Sequence, residues 1–319
     1  MKQIAVVGAG LAGLGLAWHL LQHSDVSVTL FDPLGPGGGA SGISTGLLHP
    51  FPAKQSLRSW RASEGMEATR QLLHVAEQAL GRPVAEQTGL LRLMQRKRAE
   101  EDPEAIWWEP KQVQELIPDA AALPGLWIPS GITVYSKLYL QGLWKACQSR
   151  GARFEKRSVH SLNELASYDR VVLATGYETL RFPECAHLPL EPVKGQALLC
   201  RWPKRLPCSL VSLGHITPTE DPAFCQIGST YEHEFRDLEP TQSAVEELKK
   251  KVGSWYPPAK EFEVVRINAG VRMSPQEGYR PMVLRLNEKS WTFTGLGSRG
   301  LLYHALLGKE LAFGIIRTL

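Results

Sequence analysis

Residues 4–13 read Ile-Ala-Val-Val-Gly-Ala-Gly-Leu-Ala-Gly, an apolar run that ends in a glycine-rich turn. Short apolar runs of this kind are typical of buried parallel strands, and the turn leads into a helical pattern over residues 11–22. Residues 26–31 predict a second strand, which Asp32 follows. The first stretch of the chain therefore predicts a βαβ unit.

Three glycines of the turn have the G-x-G-x-x-G spacing of a dinucleotide site. Gly8 permits the tight turn, Gly10 lets a pyrophosphate approach the backbone, and Gly13 lets the helix pack on the strand. The helix N-terminus favours the negative charge of a phosphate. Asp32, about 20 residues further on, can accept hydrogen bonds from ribose hydroxyls. A glycine-rich turn that holds no nucleotide is the alternative, and the context of strand, helix and acid favours the nucleotide.

The composition is that of an ordinary globular protein. The 319 residues are 43% hydrophobic and 21% charged, and the net charge of +4 permits a polyanionic partner without requiring one. The five cysteines form no CxxC pair and the nine histidines lack ligand spacing, so we expect reduced thiols and no metal site. The N-terminus leads directly into the βαβ unit and no apolar run reaches membrane-spanning length, so we expect no signal peptide, no membrane span and a cytoplasmic location.

The rest of the chain alternates between helical and strand-like patterns. We predict helices over residues 59–80, 138–150, 241–253 and 301–316, and strands over 90–94, 153–159, 171–174 and 291–294. Several short strand-like segments over 193–235 predict an antiparallel sheet. The strongly charged residues 95–110 predict a surface excursion.

Several motifs occur in the order known from one family of flavoproteins. They lie at residues 39–42 with 46–50, 88–91, 172–176, 192–196, 226–230, 270–272 with 280–282, and 295–300. Each match is weak alone, but the ordered set resembles the D-amino-acid oxidase/glycine oxidase superfamily of FAD-dependent oxidoreductases. The resemblance implies an α/β fold in which a Rossmann-like FAD-binding domain of the glutathione-reductase type is interleaved with an antiparallel-sheet substrate domain. It implies an FAD-binding domain at residues 1–84, 132–190 and 265–319, and a substrate domain at 85–131 and 191–264.

The same resemblance implies a non-covalent FAD site, since no cysteine falls in the last glycine loop. The implied cofactor-binding residues are Gly8, Gly10, Leu11, Ala12, Gly13, Asp32, Ala40, Ser41, Gly46, Leu47, Val159, Ala174, Thr175, Gly176, Gly270, Arg272, Gly297, Ser298, Arg299, Gly300 and Leu301.

The chemistry that the resemblance implies is oxidation of the carbon–nitrogen bond of an amine. Flavin carries out the redox step, and a substrate carboxylate is the natural handle for an arginine fork. Arg272 lies where the family places that arginine; a structural ion pair is the alternative. Arg299 and Tyr279 complete the catalytic set that we predict, and Arg299 would face the flavin edge. Less specific candidates for the pocket are Tyr231, His304, Lys194, Gln196 and His49, the last of which we interpret as a packing residue.

The substrate stays open among three hypotheses. Residues 280–283 and 297–301 resemble the oxidase domains of bacterial enzymes that act on the wobble uridine of tRNA, which implies a carboxymethylaminomethyl-uridine side chain as substrate. Residues 302–306 depart from that group. Contacts to tRNA phosphates would come from Arg92, Arg96, Lys97, Arg98 and residues 249–251, although neighbouring glutamates are typical of solvated faces. The alternatives are a free glycine, sarcosine or D-amino-acid oxidase, and a flavin-binding scaffold without turnover. Molecular oxygen is the default electron acceptor.

Overall fold

The architecture was examined in a computed structural model, which describes residues 1–52, 57–94 and 102–319. Its helices are α1 (Leu11–Leu20), α2 (Ala62–Leu80), α3 (Pro110–Leu116), α4 (Ser136–Ser149), α5 (Gln242–Gly253) and α6 (Gly300–Ile316). Its strands are β1 (Lys2–Val7), β2 (Val26–Phe31), β3 (Leu47–Leu48), β4 (Ala85–Glu86), β5 (Leu90–Leu93), β6 (Ile106–Trp108), β7 (Gly125–Ile128), β8 (Ile132–Val134), β9 (Arg153–Glu155), β10 (Arg170–Leu173), β11 (Leu190–Arg201), β12 (Ser209–Val211), β13 (His215–Pro218), β14 (Phe224–Gly228), β15 (Glu263–Pro275), β16 (Met282–Arg285) and β17 (Ser290–Thr294).

The first sheet has the order β16-β17-β10-β1-β2-β9 and is parallel except for its edge strand β16. Alternate residues of β1 face two different cores. Ile4 and Val6 pack with α1, α2, α4 and α6, whereas Ala5 and Val7 pack with the apolar residues on the opposite face. Burial on both faces explains why β1 reads as a continuous apolar run. The βαβ unit and the Rossmann-like fold class are confirmed.

The second sheet has the order β15-β11-β14-β13-β12-β5-β7-β6. Its pairings are antiparallel as predicted, except that β5 runs parallel to β12. A core that includes Leu198, Ile216 and Ile227 of the sheet and Leu248 of α5 covers one face. The long strands β11 and β15 pair from Leu190↔Pro275 to Arg201↔Glu263. A small third sheet has the order β3-β8-β4.

Some predicted boundaries are wrong. Strand β9 ends at Glu155, opposite Phe31 at the end of its neighbour β2, and Val159 lies in the following loop. Helix α2 begins at Ala62, after Arg61 adopts a left-handed backbone with φ of 48°. Of the predicted excursion, residues 95–101 lie outside the described part of the chain. Residues 106–108 form the edge strand β6 of the second sheet, and do not belong to a separate surface excursion.

Candidate active site

A large cavity, of about 2630 Å³, opens at the carboxyl ends of the parallel strands of the first sheet. Gly8, Asp32 and Ala174 line it where β1, β2 and β10 end, and Val193 and Arg272 line it from the second sheet. Ligands of open α/β sheets bind at this edge, because the strand ends there carry the loops. The cavity is therefore the candidate active site.

The glycine turn is shaped by close backbone contacts. A Cβ atom on Gly8, whose φ is +108°, would lie 2.2 Å from the carbonyl oxygen of Ala174. A Cβ on Gly13 would lie 1.8 Å from the carbonyl oxygen of Gly8, so α1 packs on the turn only because residue 13 has no side chain. Gly10 faces Ser41, whose Oγ accepts a hydrogen bond from the Leu11 N–H over 3.2 Å. The backbone of the turn is thereby left open to a ligand.

Asp32 stands at the end of β2 and lines the cavity. Its Oδ2 accepts a hydrogen bond from the Ala9 N–H over 2.9 Å, and its Oδ1 accepts from Leu34 and Gly35 over 2.8 and 2.9 Å. Three backbone donors thus fix the carboxylate against the glycine turn. About one of the four acceptor sites of the carboxylate remains for a ribose hydroxyl group.

Most of the predicted cofactor residues meet at this cavity. Its lining includes Gly8, Gly10, Leu11, Ala12, Asp32, Ala40, Ser41, Leu47, Val159, Ala174, Thr175, Gly176, Gly270, Arg272, Gly297, Ser298, Arg299, Gly300 and Leu301. Gly13 and Gly46 do not line it. A Cβ on Gly46 would lie 1.8 Å from the carbonyl oxygen of Val134, so both glycines permit close packing behind the cavity wall.

Arg272 extends from β15 across β11. Its Nη2 donates a hydrogen bond to the carbonyl oxygen of Thr230 over 2.9 Å, and its guanidinium carbon lies 4.4 Å from the ring centre of Tyr231. A Cβ on Gly195 would lie 2.0 Å from Nη2, so the glycine of the residue 192–196 motif makes room for this side chain. Within the described residues, no carboxylate forms an ion pair with Arg272, so the alternative of a structural ion pair has no support there.

Arg299 is a second cation on the cavity wall, and only 8% of its surface is exposed. Its guanidinium carbon lies 3.9 Å from the ring centre of Tyr279, which is itself exposed. Its Nε is buried and has no hydrogen-bond partner in the described part of the chain. Burial lowers the pKa of Arg299 because it penalises the charged form. An anionic group bound in the cavity would supply the missing partner.

Two neutral histidines line the cavity beside Arg272. Burial, followed by the charge of Arg92, lowers the pKa of His49 to about 3, and the neighbouring His215 contributes in the same direction when protonated. Burial, followed by the charge of Arg272, lowers the pKa of His215 to about 4. His215 Nε2 lies 2.7 Å from Thr45 Oγ1. His215 was not among the predicted site residues, and its only signal was a place within residues 193–235, for which an antiparallel sheet was predicted.

Three other candidates are buried, and of these His304 and Lys194 do not line the cavity whereas Arg92 does. His304 is fully buried in α6, where its Nε2 contacts the Tyr139 hydroxyl over 2.6 Å. The Lys194 ammonium is buried and donates to the carbonyl oxygen of Glu239. Arg92 is also buried, and it donates to the carbonyl oxygen of Phe51 over 2.9 Å instead of facing a nucleic acid.

The remaining candidates are near the cavity but differ in access. Tyr231 and Tyr279 line it as exposed rings. Gln196 lines it too, yet its side chain is buried and donates to Glu232 and Thr241 over 2.8 and 2.9 Å. Gln196 therefore orders the strand that carries Gly195.

The cavity fits an FAD molecule. The glycine turn lines the cavity at the N-terminus of α1, Asp32 offers carboxylate oxygens, and the unpartnered Nε of Arg299 offers a buried donor. All five cysteines are buried thiols, and none of them lines the cavity. Among the described residues, no group of three or more His, Cys, Asp or Glu side chains is placed to bind a metal ion. In that same part of the chain, no helix combines the length and apolar character needed to cross a membrane.

Comparisons with known proteins identify the family of this chain. The model of the DAO family, described as FAD dependent oxidoreductase, matches residues 3–313. A glycine oxidase of Pseudomonas aeruginosa is 27% identical over 87% of this chain and 84% of its own length. The tRNA 5-methylaminomethyl-2-thiouridine biosynthesis bifunctional protein MnmC of Delftia acidovorans is 26% identical over 98% of this chain, which spans 57% of that protein. The crystal structure of a Geobacillus kaustophilus glycine oxidase superposes with a TM-score of 0.87 at 20% identity, over 99% of this chain and 95% of that one. The chain therefore belongs to the DAO family of FAD-dependent oxidoreductases, and the predicted cofactor and enzyme class are confirmed.

Proposed function

We propose that this enzyme oxidises the carbon–nitrogen bond of an amine that bears a carboxylate, of the N-substituted glycine type. The observation that supports this proposal most directly is Arg272, a guanidinium that lines the cavity without a carboxylate partner in the described chain. A planar guanidinium fork matches the two oxygens of a carboxylate. Thr230 accepts a hydrogen bond from one side of the fork, where Gly195 leaves room for it, and the other edge is left for substrate.

Binding by Arg272 would position the substrate carbon for oxidation. FAD held in this cavity would supply the hydride acceptor, so that the carbon next to nitrogen could be oxidised to an imine, which water would hydrolyse to glyoxylate and the remaining amine. The role of the protein is to hold the carboxylate, to orient the amine and to stabilise negative charge. In this proposal Arg299 donates to an anionic group at the flavin edge, and Tyr279 lies over its guanidinium.

We further propose that the cavity-lining residues named above hold FAD, with the phosphates at the turn of residues 8–13 and the ribose at Asp32. The division into an FAD-binding domain and a substrate domain belongs to the same proposal. The strands of the first sheet all lie within the predicted FAD-binding ranges. Strand β15 spans the predicted boundary between residues 264 and 265, because residues 263–275 form one continuous strand.

The side chain of a tRNA wobble uridine is the second candidate substrate. Relatives named as the bifunctional protein MnmC match 96 and 98% of this chain, although the chain spans only 55 and 57% of their length. The basic residues give this candidate little support. Arg92 is buried, Lys249 donates to the carbonyl oxygen of Lys260, and Lys251 pairs with Glu247. The candidates Arg96, Lys97 and Arg98 lie outside the described residues.

Anaerobic reduction of the purified flavoenzyme tests the proposal. We expect sarcosine, glycine or another N-substituted glycine to bleach the flavin absorbance, and Arg272→Met to raise the substrate concentration needed for half-maximal bleaching at least about 10-fold. D-proline and tRNA with the carboxymethylaminomethyl modification complete the panel. Reduction by modified tRNA alone, with release of glyoxylate, would establish the second candidate. If no member of the panel reduces the flavin, the scaffold hypothesis replaces both.

The electron acceptor is tested with the same reduced enzyme. We propose molecular oxygen, so admission of air is expected to restore the oxidised flavin spectrum and to produce hydrogen peroxide in equal amount. Reoxidation that requires an added dye instead of oxygen would overturn this part of the proposal.

A further inference from the structure

The wall of the cavity carries more positive than negative charge. Among the described residues, seven arginines line it, against three carboxylates. Each of these carboxylates already has partners in the protein. Asp32 accepts three backbone N–H groups, Glu178 pairs with Arg181, and Glu191 lies 3.6 Å from His233. The surplus of positive charge therefore favours a cavity that binds anions.

The arginines of the cavity wall differ in whether a carboxylate of the chain neutralises them. Three of them form ion pairs, namely Arg58, Arg157 and Arg181. Within the described ranges, three others form none, namely Arg272, Arg280 and Arg299. The amine oxidation proposed above supplies the substrate carboxylate to Arg272 and an anionic flavin edge to Arg299. It leaves Arg280 without an anion.

Arg280 lies against a tryptophan at the cavity wall. It belongs to the turn between β15 and β16, and its guanidinium carbon is 5.1 Å from the ring centre of Trp60. Arg61 also lies over this ring, at 5.4 Å, but Glu64 and Glu310 neutralise it. In the part of the chain that the structure describes, the side chain of Arg280 donates no hydrogen bond. Because an aromatic ring attracts a guanidinium without taking up its N–H donors in hydrogen bonds to oxygen, Arg280 is an exposed cation that can still bind an anion.

The three arginines that lack a carboxylate partner lie on one side of the cavity. Arg272 is part of β15, and the turn that follows this strand carries Tyr279 and Arg280. The ring of Tyr279 lies over the guanidinium of Arg299 at 3.9 Å. Burial raises the pKa of Tyr303, and the charges of both Arg299 and Arg280 oppose this rise, so both cations are near that ring. Arg280 is therefore a neighbour of the site proposed for the substrate.

We propose that Arg280 binds a second anionic group of the substrate, at the far end of the N-substituent. The substrate is then an N-substituted glycine with two acidic groups, one paired with Arg272 and the other with Arg280. This inference rests on the amine oxidation proposed above. A substituent that ends in a carboxylate or a phosphate has the required chemistry, because both accept hydrogen bonds from a guanidinium. Arg280 is a specificity-determining residue and takes no part in the redox step.

Binding to the FAD-loaded enzyme, measured by titration of flavin absorbance, tests the proposal without turnover. The probes are succinate, glutarate, adipate and suberate, each compared with its monoamide, which has the same length and one charge fewer. We expect at least one of these dicarboxylates to bind about 10-fold more tightly than its monoamide. Analogues in which a phosphonate replaces the second carboxylate show which of the two anions Arg280 prefers.

Substitution of Arg280 shows whether this residue causes the difference. In Arg280→Gln the dicarboxylate and its monoamide should bind equally. Arg285→Gln is a matched control, because Arg285 also lies over a tryptophan, 5.5 Å from the ring centre of Trp291, but does not line the cavity. It should keep the difference. Dicarboxylates that bind no more tightly than their monoamides, or a difference that survives in Arg280→Gln, would overturn the proposal. So would a loss of FAD affinity as large as the loss of dicarboxylate affinity.

Anaerobic flavin reduction connects this binding to the reaction. The substrates are glycines whose N-substituent ends in a carboxylate, each compared with the matching amide. We expect the second carboxylate to raise kcat/KM about 10-fold in the unmodified enzyme and in Arg285→Gln, but not in Arg280→Gln. Equal values for acid and amide in the unmodified enzyme would overturn the role of Arg280 in substrate choice. If neither these compounds nor sarcosine reduce the flavin while the difference in binding stands, the proposed function fails and the anion site remains.

Discussion

Gly195 and Arg272 lie on neighbouring strands, and the guanidinium crosses the position that a side chain at residue 195 would occupy. The motif of residues 192–196, which predicts only a strand with a central glycine, thus makes room for a guanidinium of the cavity wall. The glycine carries no functional group, yet it decides where the positive charge lies. This placement depends on the register between β11 and β15, which cannot be predicted from a local sequence pattern.

Gly195→Ala should therefore weaken carboxylate binding more than it weakens the fold. The new Cβ would lie 2.0 Å from Arg272 Nη2, and the end of a flexible side chain can move away at little cost. We expect the Kd for acetate, measured by titration of flavin absorbance, to rise about 10-fold, equivalent to about 1.4 kcal/mol. In an Arg272→Lys background the same substitution should add little. Equal effects in both backgrounds would contradict the assigned contact.

Arg299 is a buried cation whose Nε has no partner in the described residues. Removal of its charge should stabilise the FAD-free protein while it weakens the site. We expect Arg299→Met to raise the free energy of unfolding of the FAD-free form by about 1 kcal/mol and to lower FAD or acetate affinity. Urea unfolding and flavin titration measure the two effects. The exposed Arg266→Met is the control and should change stability by less than about 0.5 kcal/mol. A lower unfolding free energy of the FAD-free Arg299→Met variant would contradict the absence of a stabilising partner for Arg299.

At the level of elements, the parts of the fold that local patterns encode were predictable. Strand β1, helix α1 and strand β2 are short apolar segments bounded by turn residues, and these local features specify them without tertiary contacts. The end of β9 and the parallel pairing of β5 with β12 were not, because they depend on which strand lies next to which. Likewise, Arg272 was named by resemblance, whereas His215 joins the site only through its pairing with Gly228.

The packing of α1 on β1 gives a prediction for one helical glycine. Because a Cβ on Gly13 would lie 1.8 Å from the carbonyl oxygen of Gly8, Gly13→Ala must push helix and turn apart. We expect a loss of about 3 kcal/mol in unfolding free energy and loss of bound FAD. Gly314→Ala in α6 is a matched control, since a Cβ there meets nothing within 4 Å. It should gain up to about 1 kcal/mol from helix propensity. Retention of FAD by Gly13→Ala would contradict the packing argument.

At the scale of the whole molecule, buried histidines make stability depend on pH. Burial is the largest cause that lowers the pKa of both His19 and His304 to about 4. The unfolded chain, with a histidine pKa of about 6.5, binds more protons between these values, so stability falls as pH drops below 6.5. We expect each of the two histidines to account for about 2 kcal/mol between pH 6.5 and 5. Urea unfolding of the FAD-free protein at several pH values measures this slope.

Substitution of a buried and of an exposed histidine provides the control for this pH dependence of the unfolding free energy. His304→Gln should flatten the dependence, whatever it does to the stability at pH 7, whereas substitution of the exposed His74 by Gln should leave it unchanged. A stability that stays level from pH 7 to pH 5 would show that the buried imidazoles are protonated without cost.

Strand β10 lies between β1 and β17 in the first sheet, so its neighbours come from opposite ends of the sequence. During synthesis on the ribosome, β10 can pair with β1 long before residues 290–294 emerge, and its second edge stays open in that interval. An unpaired strand edge can form backbone hydrogen bonds with other chains and so promote aggregation. Nascent polypeptides of this family member should accordingly depend on chaperones until β17 docks, and a product released before Ser290 should aggregate in light-scattering measurements where the full chain does not.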